Sequence, residues 1–281
     1  MKTPKRLQPL VEDGLIDAVL RQLKSGKEAT LFVVSCDDEL RCAKVYKEAN
    51  QRSFRQAVVY KEGRKTKNSR HARAMEKGTR YGRKVQEATW QSAEVDALYR
   101  LAAAGVRVPR PYGFHEGVLL MELVADDAGD PAPRLSDLEF SAADARVHHR
   151  TLMAEVVRML CAGVVHGDLS EFNVLLGALG PVVIDLPQAV NAAGNTHAKG
   201  IFLRDVGALT QFFGKSAPEL SSTHYGEEIW ALYEKGELHP GVELTGRFAR
   251  RHKAVDLRSV VREIDDARAE EIARRVRAQR R

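Results

Sequence analysis

Residues 164–173 read Val-Val-His-Gly-Asp-Leu-Ser-Glu-Phe-Asn, and residues 182–185 read Val-Val-Ile-Asp. In these stretches Asp168, Asn173 and Asp185 have the order and spacing of a phosphoryl-transfer site. One carboxylate would accept the proton of the attacking hydroxyl, while an amide and a second carboxylate hold a metal ion. A carboxylate that ends a buried strand is costly in a core but is a good Mg²⁺ ligand. Each fragment alone also fits a plain turn or a strand-end cap, and their combination favours the phosphoryl-transfer site.

The length of the chain, 281 residues, allows one large core or two lobes around a cleft. No apolar run reaches membrane-spanning length, and the N-terminus lacks the apolar segment of a signal peptide. Cys36, Cys42 and Cys161 have no metal-ligand spacing, so we expect reduced, buried thiols in a cytoplasmic protein. The nine histidines show no zinc-binding pattern.

Positive charge is concentrated in two places, although the net charge is only +6. The segment Tyr60–Lys84 contains ten Lys or Arg residues against two Glu, and the C-terminal tail is also rich in Arg. Such a segment is either a solvated charge run or an arm that contacts a phosphate-rich partner such as RNA. Both interpretations stay open for Tyr60–Lys84.

The N-terminal part is predicted to contain one helix and then an antiparallel sheet. Apolar residues at helical spacing predict an amphipathic helix over residues 14–24. The β-rich runs Ala29–Cys36 and Leu40–Tyr46 predict one hairpin, and Tyr112–His115 with Val118–Val124 predict a second.

Two lysines of this part are candidates for phosphate binding. The turn at residues 25–29 could present backbone N–H groups and Lys27 to phosphate, although a helix stop is the simpler interpretation. Lys44 lies in a predicted strand, where a lysine usually faces solvent. In a kinase-type site such a lysine instead reaches the α- and β-phosphates and pairs with a helix Glu. The candidate partner on the next helix, predicted over residues 87–104, is Glu94, with Glu87 as the alternative.

A nucleotide base could lie at the end of the second hairpin. The backbone groups of Glu122 and Val124 could read the edge of an adenine ring, although a buried strand end explains the apolar sequence equally well. The following segment Ala125–Pro133 is rich in Asp, Gly, Ala and Pro and is the best linker in the chain. We place the boundary between two lobes there.

The C-terminal part is predicted to be mainly helical. One helix is predicted from the N-cap Ser141 to Gly163, and another over residues 196–214. Asp205 in the second helix is expected to accept hydrogen bonds from loop backbone donors, and His166 to orient the loop by a hydrogen bond. Further helices are predicted at Tyr225–Tyr233 and Val255–Ala278.

These residues resemble the RIO family of atypical serine/threonine protein kinases, and the resemblance covers roughly residues 12–215. The matching motifs are Ser-Gly-Lys-Glu-Ala at 25–29, Ala-Lys-Val-Tyr at 43–46, a basic insertion before Trp90, Pro-x-Pro at 109–111, Met-Glu-Leu at 121–123, His-Gly-Asp-Leu-Ser-Glu-Phe-Asn at 166–173 and Ile-Asp-Leu-Pro-Gln-Ala at 184–189. The replacement of Asp-Phe-Gly by Ile-Asp-x-x-Gln-Ala is the most specific of these.

The resemblance implies an α+β, two-lobed protein-kinase-like fold with a small antiparallel-sheet N-lobe, a mainly helical C-lobe and no activation loop. The corresponding domains are an N-terminal lobe at 1–124 with a basic insertion at about 47–89, a hinge at 125–133, a catalytic lobe at 134–215 and a helical extension with a basic tail at 216–281. There is no room before residue 14 for the winged-helix domain of one RIO subgroup.

The resemblance also implies roles for the chemical groups. Asp168 would be the catalytic base, and Asn173 and Asp185 would bind Mg²⁺, with Mn²⁺ as an alternative. Lys44 would bind the phosphates of ATP, with Glu94 as its partner.

Two further sets of ATP contacts follow from the same resemblance. Ser25 and Lys27 would belong to the phosphate loop. Glu122 and Val124 would hold the adenine.

The function expected from this resemblance is an ATP- and Mg²⁺-dependent protein kinase that could work as an ATPase switch on a ribosomal precursor. One rival is a small-molecule phosphotransferase of the aminoglycoside or choline kinase type, which shares His-Gly-Asp and a later Ile-Asp. The insertion at 47–89 and Gln188 favour the RIO family. A second rival is a catalytically silent RNA-binding scaffold, which would have no reason to retain Lys44, Asp168, Asn173 and Asp185 together.

Overall fold

The computed structural model describes residues 3–47 and 93–248. The basic segment Tyr60–Lys84, the alternative partner Glu87, the predicted helix Val255–Ala278 and the basic tail lie outside the described residues. None of the described helices is long and apolar enough to cross a membrane.

The described chain begins with a short helix and then forms a five-stranded antiparallel sheet with strand order β1-β2-β3-β5-β4. The elements are α1 (Gln8–Glu12), β1 (Ala18–Ser25), β2 (Ala29–Cys36), β3 (Glu39–Tyr46), α2 (residues 93–103), β4 (Pro111–His115) and β5 (Val118–Glu122). Both predicted hairpins are confirmed, and the first turns at Asp37 and Asp38 with positive φ angles of 49° and 62°. The N-lobe is therefore the expected small antiparallel sheet, with α1 against one face and α2 against the other.

The predicted helix over residues 14–24 is wrong, because this stretch contains strand β1. The pairing of β1 with β2 shifts register between Val19 and Arg21 and again between Gln22 and Lys24. Each such bulge adds a residue and changes which face the next side chain takes. The alternation of a strand is therefore lost from the sequence, and the apolar residues fall by coincidence at helical spacing.

The N-terminal segment covers one face of the sheet. Leu7, Leu10 and Ile16 are buried and pack with strand residues such as Phe32 and Val34 in one apolar cluster. The opposite face packs on α2, whose residues Val95, Leu98 and Leu101 join the main core as the sequence predicted. Lys44 and the cavity described below lie on this second face.

The C-lobe is mainly helical, as expected. Its elements are α3 (Ala142–Cys161), β6 (Val164–Val165), β7 (Val174–Gly177), β8 (Gly180–Val183), β9 (Val190–Asn191), α4 (Ala198–Gly214) and α5 (Tyr225–Lys235), with short 3-10 turns at Leu135–Asp137, Glu171–Asn173 and Pro218–Ser222. Ser141 caps α3 by accepting a hydrogen bond from the Asp144 N–H at 3.1 Å, which stabilises the helix by about 1 kcal/mol. Only residues 186–197 lie between Asp185 and α4, so no activation loop is present in this described connection.

The observed architecture confirms the α+β, kinase-like fold with a sheet-based N-lobe and a helical C-lobe. In the described part of the predicted extension, Ala217, Leu220, Ile229 and Trp230 belong to the main core. The boundaries at 124, 133 and 215 stay predictions.

The expectation of three buried thiols needs one correction. All three cysteines are free, and Cys36 and Cys42 are buried in strands, but Cys161 is exposed. Cys161 is the last residue of α3 and lies on its outer side, at helical spacing from the partly exposed Ala154 and Arg158, whereas the preceding Leu160 is fully buried. Its apolar neighbours in sequence did not reveal this position.

A buried histidine in the C-lobe gives a first testable prediction. His149 on α3 packs against the rings of Phe213 and Tyr225, and its Nε2 lies 3.0 Å from the Thr210 hydroxyl. Burial lowers the pKa of His149 from its usual 6.5 to about 4. Between these values the unfolded chain binds a proton that the folded chain does not, so stability rises with pH. The free energy of unfolding should fall by about 3 kcal/mol as pH decreases through this window.

The measurement is urea denaturation across that pH range for the wild type and His149→Gln. The variant should lose this part of the pH dependence, and His239→Gln, at an exposed position, controls for the loss of an imidazole. Equal pH dependence in the wild type and His149→Gln would contradict the prediction.

Candidate active site

A lysine between two carboxylates forms the centre of the candidate site. Lys44 on β3 donates to Glu94 on α2 at 2.5 Å and to Asp185, after β8, at 3.2 Å. The Lys44 side chain is only 12% exposed, so the solvent-facing interpretation of this strand lysine is wrong. The sequence-based pairing of Lys44 with Glu94 is confirmed.

Burial and neighbouring opposite charges set the pKa values of Lys44 and Asp185. Burial alone would lower the pKa of Lys44, but the negative charges of Glu94 and Asp185 outweigh it and raise that pKa well above its usual value. Partial desolvation in the cavity would raise the pKa of Asp185, whose side chain is 45% exposed, but the ammonium of Lys44 outweighs it and lowers that pKa. At neutral pH the site therefore holds a permanent cation beside an ionised Asp185.

Asp185 has an unusual backbone conformation. Its φ angle is +66°, in the left-handed region that residues other than glycine rarely adopt. Such strain persists only where the surrounding structure fixes it, and it is common at active sites. The conformation appears where β8 ends and the chain turns, so it helps to set the direction of the carboxylate.

The loop after β6 is held by hydrogen bonds on both sides. His166 Nδ1 accepts from the Asp168 N–H at 3.2 Å, which assigns the ring proton to Nε2, and Nε2 donates to the Ile184 carbonyl at 3.0 Å. Asp205 on α4 accepts from the Gly167 N–H at 2.7 Å. The predictions that His166 orients the loop and that Asp205 accepts from its backbone are confirmed.

Asp168 and Asn173 are neighbours across this loop. The Asn173 Nδ2 donates to the Asp168 carbonyl at 2.7 Å and lies 3.3 Å from Asp168 Oδ2. The Ile184 N–H donates to the Asn173 carbonyl at 3.0 Å, which places the loop directly beside Asp185. The structure thus brings the three residues of the sequence motif to one place.

The same residues fit a hard divalent cation. Because the Asn173 amide nitrogen faces Asp168, its Oδ1 is the atom that remains for a metal, together with the ionised carboxylate of Asp185. Residues 3–47 and 93–248 contain no cluster of three or more His, Cys, Asp or Glu that could hold a metal ion, at this site or at any other. Mg²⁺ in phosphoryl-transfer sites uses few protein ligands because phosphate oxygens complete its shell.

Gly167 gives a second prediction, because its position allows no side chain. Its φ is +89°, and a Cβ would lie 2.3 Å from the Gln188 carbonyl oxygen. Gly129 has a similar φ of +83° with no atom within 4 Å of its Cβ position. Gly129→Ala should therefore cost only the backbone term of about 1–2 kcal/mol. Gly167→Ala should cost about 2 kcal/mol more, the scale of an overpacked core.

Urea denaturation of both glycine variants separates the two contributions. Equal destabilisation would show that the contact between Gly167 and Gln188 can relax. The close approach of Gln188 to the loop after β6 is a contact that the sequence motif did not reveal.

A cavity of about 440 Å³ lies beside this group. Apolar side chains such as Leu31, Leu119 and Leu175 line it, and Lys44 and Asp185 lie on its wall. An apolar pocket with a few converging charged groups is typical of a small-molecule site.

The two predicted phosphate-loop residues differ in position. Lys27 lines the cavity, whereas Ser25 is not among its lining residues. The Ser25 hydroxyl accepts from Lys47 at 3.1 Å and lies 3.3 Å from the Thr30 hydroxyl. The turn itself is closed by the Gly26 N–H, which donates to the Ala29 carbonyl at 2.9 Å.

At the end of β5 the two predicted base-binding residues also line the cavity. The carboxylate of Glu122 is held by two hydrogen bonds from Arg107, at 2.7 and 2.8 Å, which lower the pKa of Glu122. The Glu122 N–H donates to Arg110, and the Val124 carbonyl accepts from Ala132. Of the main-chain groups of these two residues, the Glu122 carbonyl and the Val124 N–H therefore remain as candidates for reading a base.

Sequence reasoning missed two arginines of this region. Arg107 fixes Glu122, and Arg134 lines the cavity and contributes, after Lys44 and His166, to the low pKa of Asp185. Neither arginine belongs to a recognisable motif, and their partners lie on other elements. No signal in a single sequence identifies such pairs.

Comparisons with known proteins decide the family. The RIO domain model matches residues 31–225. The chain belongs to the RIO family. The RIO-type serine/threonine-protein kinase Rio1 of Haloferax volcanii is 36% identical over 216 residues, which cover 75% of this chain and 68% of that protein.

Two eukaryotic relatives show the same RIO kinase similarity. The serine/threonine-protein kinases rio1 of Schizosaccharomyces pombe and RIO1 of Homo sapiens are each 30% identical over 75% of this chain. The matches span only 41% and 36% of those two proteins. The chain is thus a RIO-type member of the serine/threonine protein kinases, and the similarity covers only part of these longer relatives.

Proposed function

We propose that this RIO protein uses ATP and Mg²⁺, with Mn²⁺ as an alternative metal, to phosphorylate a serine or threonine hydroxyl. The observation that carries the proposal is the buried Lys44, held by Glu94 at 2.5 Å and by Asp185 at 3.2 Å on the wall of the cavity. A fixed ammonium next to an ionised metal ligand matches the needs of a triphosphate.

The residues of the chain take distinct parts in this reaction. The Asp168 carboxylate accepts the proton of the acceptor hydroxyl as that oxygen bonds to the γ-phosphorus, and the bond from the γ-phosphorus to the β–γ bridging oxygen breaks to release ADP. Lys44 neutralises charge on the α- and β-phosphates. Asn173 and Asp185 are the proposed ligands of the metal, which when bound supplies positive charge to the phosphate oxygens.

The remaining predicted contacts complete the proposed nucleotide site. Lys27 and Ser25 belong to the proposed phosphate loop, and the support for Lys27 is its place on the cavity wall. The Glu122 carbonyl and the Val124 N–H are the proposed adenine contacts.

Ribosomal partners and an ATPase role extend this proposal. Tyr60–Lys84 and the Arg-rich tail are proposed contacts to ribosomal RNA or a ribosomal particle, on the basis of their charge alone. The cytoplasm is the proposed compartment. The proposed domains remain 1–124, 125–133, 134–215 and 216–281.

The rival functions receive less support. The family match favours a RIO protein kinase over a small-molecule phosphotransferase. The assembled Lys44, Glu94 and Asp185 group favours catalysis over a silent RNA-binding scaffold.

The decisive experiment measures phosphate release from ATP with and without ribosomal particles, beside labelling of a generic protein acceptor and of an aminoglycoside or choline. Protein labelling supports the kinase, and particle-stimulated phosphate release supports the ATPase switch. Labelling of the small molecule alone would favour the first rival, and no turnover with ATP and either metal would favour the scaffold.

A further inference from the structure

Tyr46 contacts both Lys44 and Glu94, which form the ion pair between β3 and α2. The Tyr46 hydroxyl donates to Glu94 Oε2 at 2.7 Å, while Lys44 donates to the other oxygen, Oε1, at 2.5 Å. The Lys44 ammonium also lies 5.4 Å from the centre of the Tyr46 ring. One strand thus supplies both donors to the same carboxylate, because residues two apart on β3 face the same side of the sheet.

The Glu94 carboxylate is buried, so it depends on protein donors rather than on water for its hydrogen bonds. Glu94 is only 5% exposed and Tyr46 only 3%. If the hydroxyl were removed, Oε2 would be left without its donor in a buried place, and the carboxylate could lower its energy by rotating or by moving with α2. Either movement changes the geometry of the ion pair with Lys44.

The Tyr46 ring is itself fixed in place. It packs edge-to-face on Phe114 of β4, with ring centres 6.2 Å apart. Its main-chain N–H donates to Gly117 at 3.1 Å, and its carbonyl accepts from Arg6 at 2.8 Å. Burial and the neighbouring Glu94 charge raise the pKa of Tyr46, so the hydroxyl keeps its proton and acts as a donor.

The hydrogen bond from Tyr46 to Glu94 matters because Asp185 competes with Glu94 for the Lys44 ammonium. Lys44 lies 3.2 Å from Asp185, whose carboxylate is the proposed metal ligand. A weaker hold by Glu94 would let the ammonium move towards Asp185. Phosphate would then lose its cation, and the metal would compete with Lys44 for Asp185.

We propose that Tyr46 is a positioning residue, whose hydroxyl fixes the Glu94 carboxylate so that Lys44 stays available to the phosphates and Asp185 stays available to the metal. This inference rests on the proposed function of the cavity as a nucleotide site. The inference assigns the Tyr46 hydroxyl a role beside the ion pair of Lys44 and Glu94.

The test is a double-mutant cycle of Tyr46→Phe and Glu94→Gln. Tyr46→Phe keeps the ring and its contact with Phe114 and removes only the hydroxyl. Because a hydrogen bond to a charged group is lost, the KM for ATP and the dissociation constant of ATP measured by calorimetry should each rise about tenfold. The Mg²⁺ concentration needed for half-maximal activity should rise as well, while kcat changes less. In the Glu94→Gln background, Tyr46→Phe should cause little further change.

The matched control is Tyr112→Phe, which removes the hydroxyl of an exposed tyrosine on β4 and should leave ATP binding unchanged. Thermal melting of every variant, with and without ATP, separates stability from positioning. Unchanged ATP binding in Tyr46→Phe, or the same loss in both backgrounds, would overturn the proposal. If the wild type binds ATP but transfers no phosphate, the proposed function fails while the binding cycle still decides the role of Tyr46.

Discussion

Asp185→Asn should lower phosphoryl transfer by about 10³-fold, because a metal ion in such a site contributes several kcal/mol of transition-state stabilisation. The amide keeps the size of the side chain but removes the ionised oxygen beside Asn173 and Lys44. The fold should remain intact, since Lys44 keeps its 2.5 Å pair with Glu94. The measurement is phosphate release and acceptor labelling, set beside thermal melting.

Asp127→Asn is the matched control for Asp185→Asn. It removes an exposed carboxylate of the linker without touching the cavity lining. A folded Asp185→Asn protein with normal turnover would show that Asp185 is not a metal ligand.

Asp168→Asn should lower kcat by about 10²–10⁴-fold and leave ATP affinity nearly unchanged, because a general base acts on the acceptor hydroxyl rather than on the nucleotide. Asp168 is exposed, and its backbone contacts with His166 and Asn173 do not depend on the carboxylate. Calorimetry with ATP and single-turnover kinetics give the two quantities separately.

The contrary result for Asp168 would also be informative. If ATP binding disappears in a variant that melts like the wild type, Asp168 is a nucleotide-binding residue rather than the base. Retained turnover with a protein acceptor would exclude both roles.

The sequence predicted the parts of the fold that depend on local patterns. The hairpins, α3 with its Ser141 cap, and α4 with Asp205 were correct, because periodicity and capping residues act over a few positions. Strand β1 was missed because two bulges removed its alternation. Short-range patterns cannot show such an irregularity, since it is defined only by the partner strand.

The candidate site was predictable to the extent that its residues belong to motifs. Lys44 and Glu94 are separated by 50 residues, yet each lies in a recognisable context and their pairing was correct. The hydroxyl of Tyr46 and the guanidinium of Arg107 act on carboxylates of other elements. A tyrosine or arginine in a strand or loop has many ordinary uses, so only the packed structure shows which partner it takes.

Because the N-terminal segment covers one face of the sheet, the choice of the first residue decides whether a shortened protein folds. The family match begins at residue 31, inside β2 and after the helix α1 and strand β1. A fragment that started there would remove Leu7, Leu10 and Ile16 from the apolar cluster and turn β2 into an open edge. Exposed apolar strands of this kind pair with other chains and aggregate. The region recognised by similarity is thus smaller than the region that must be expressed together.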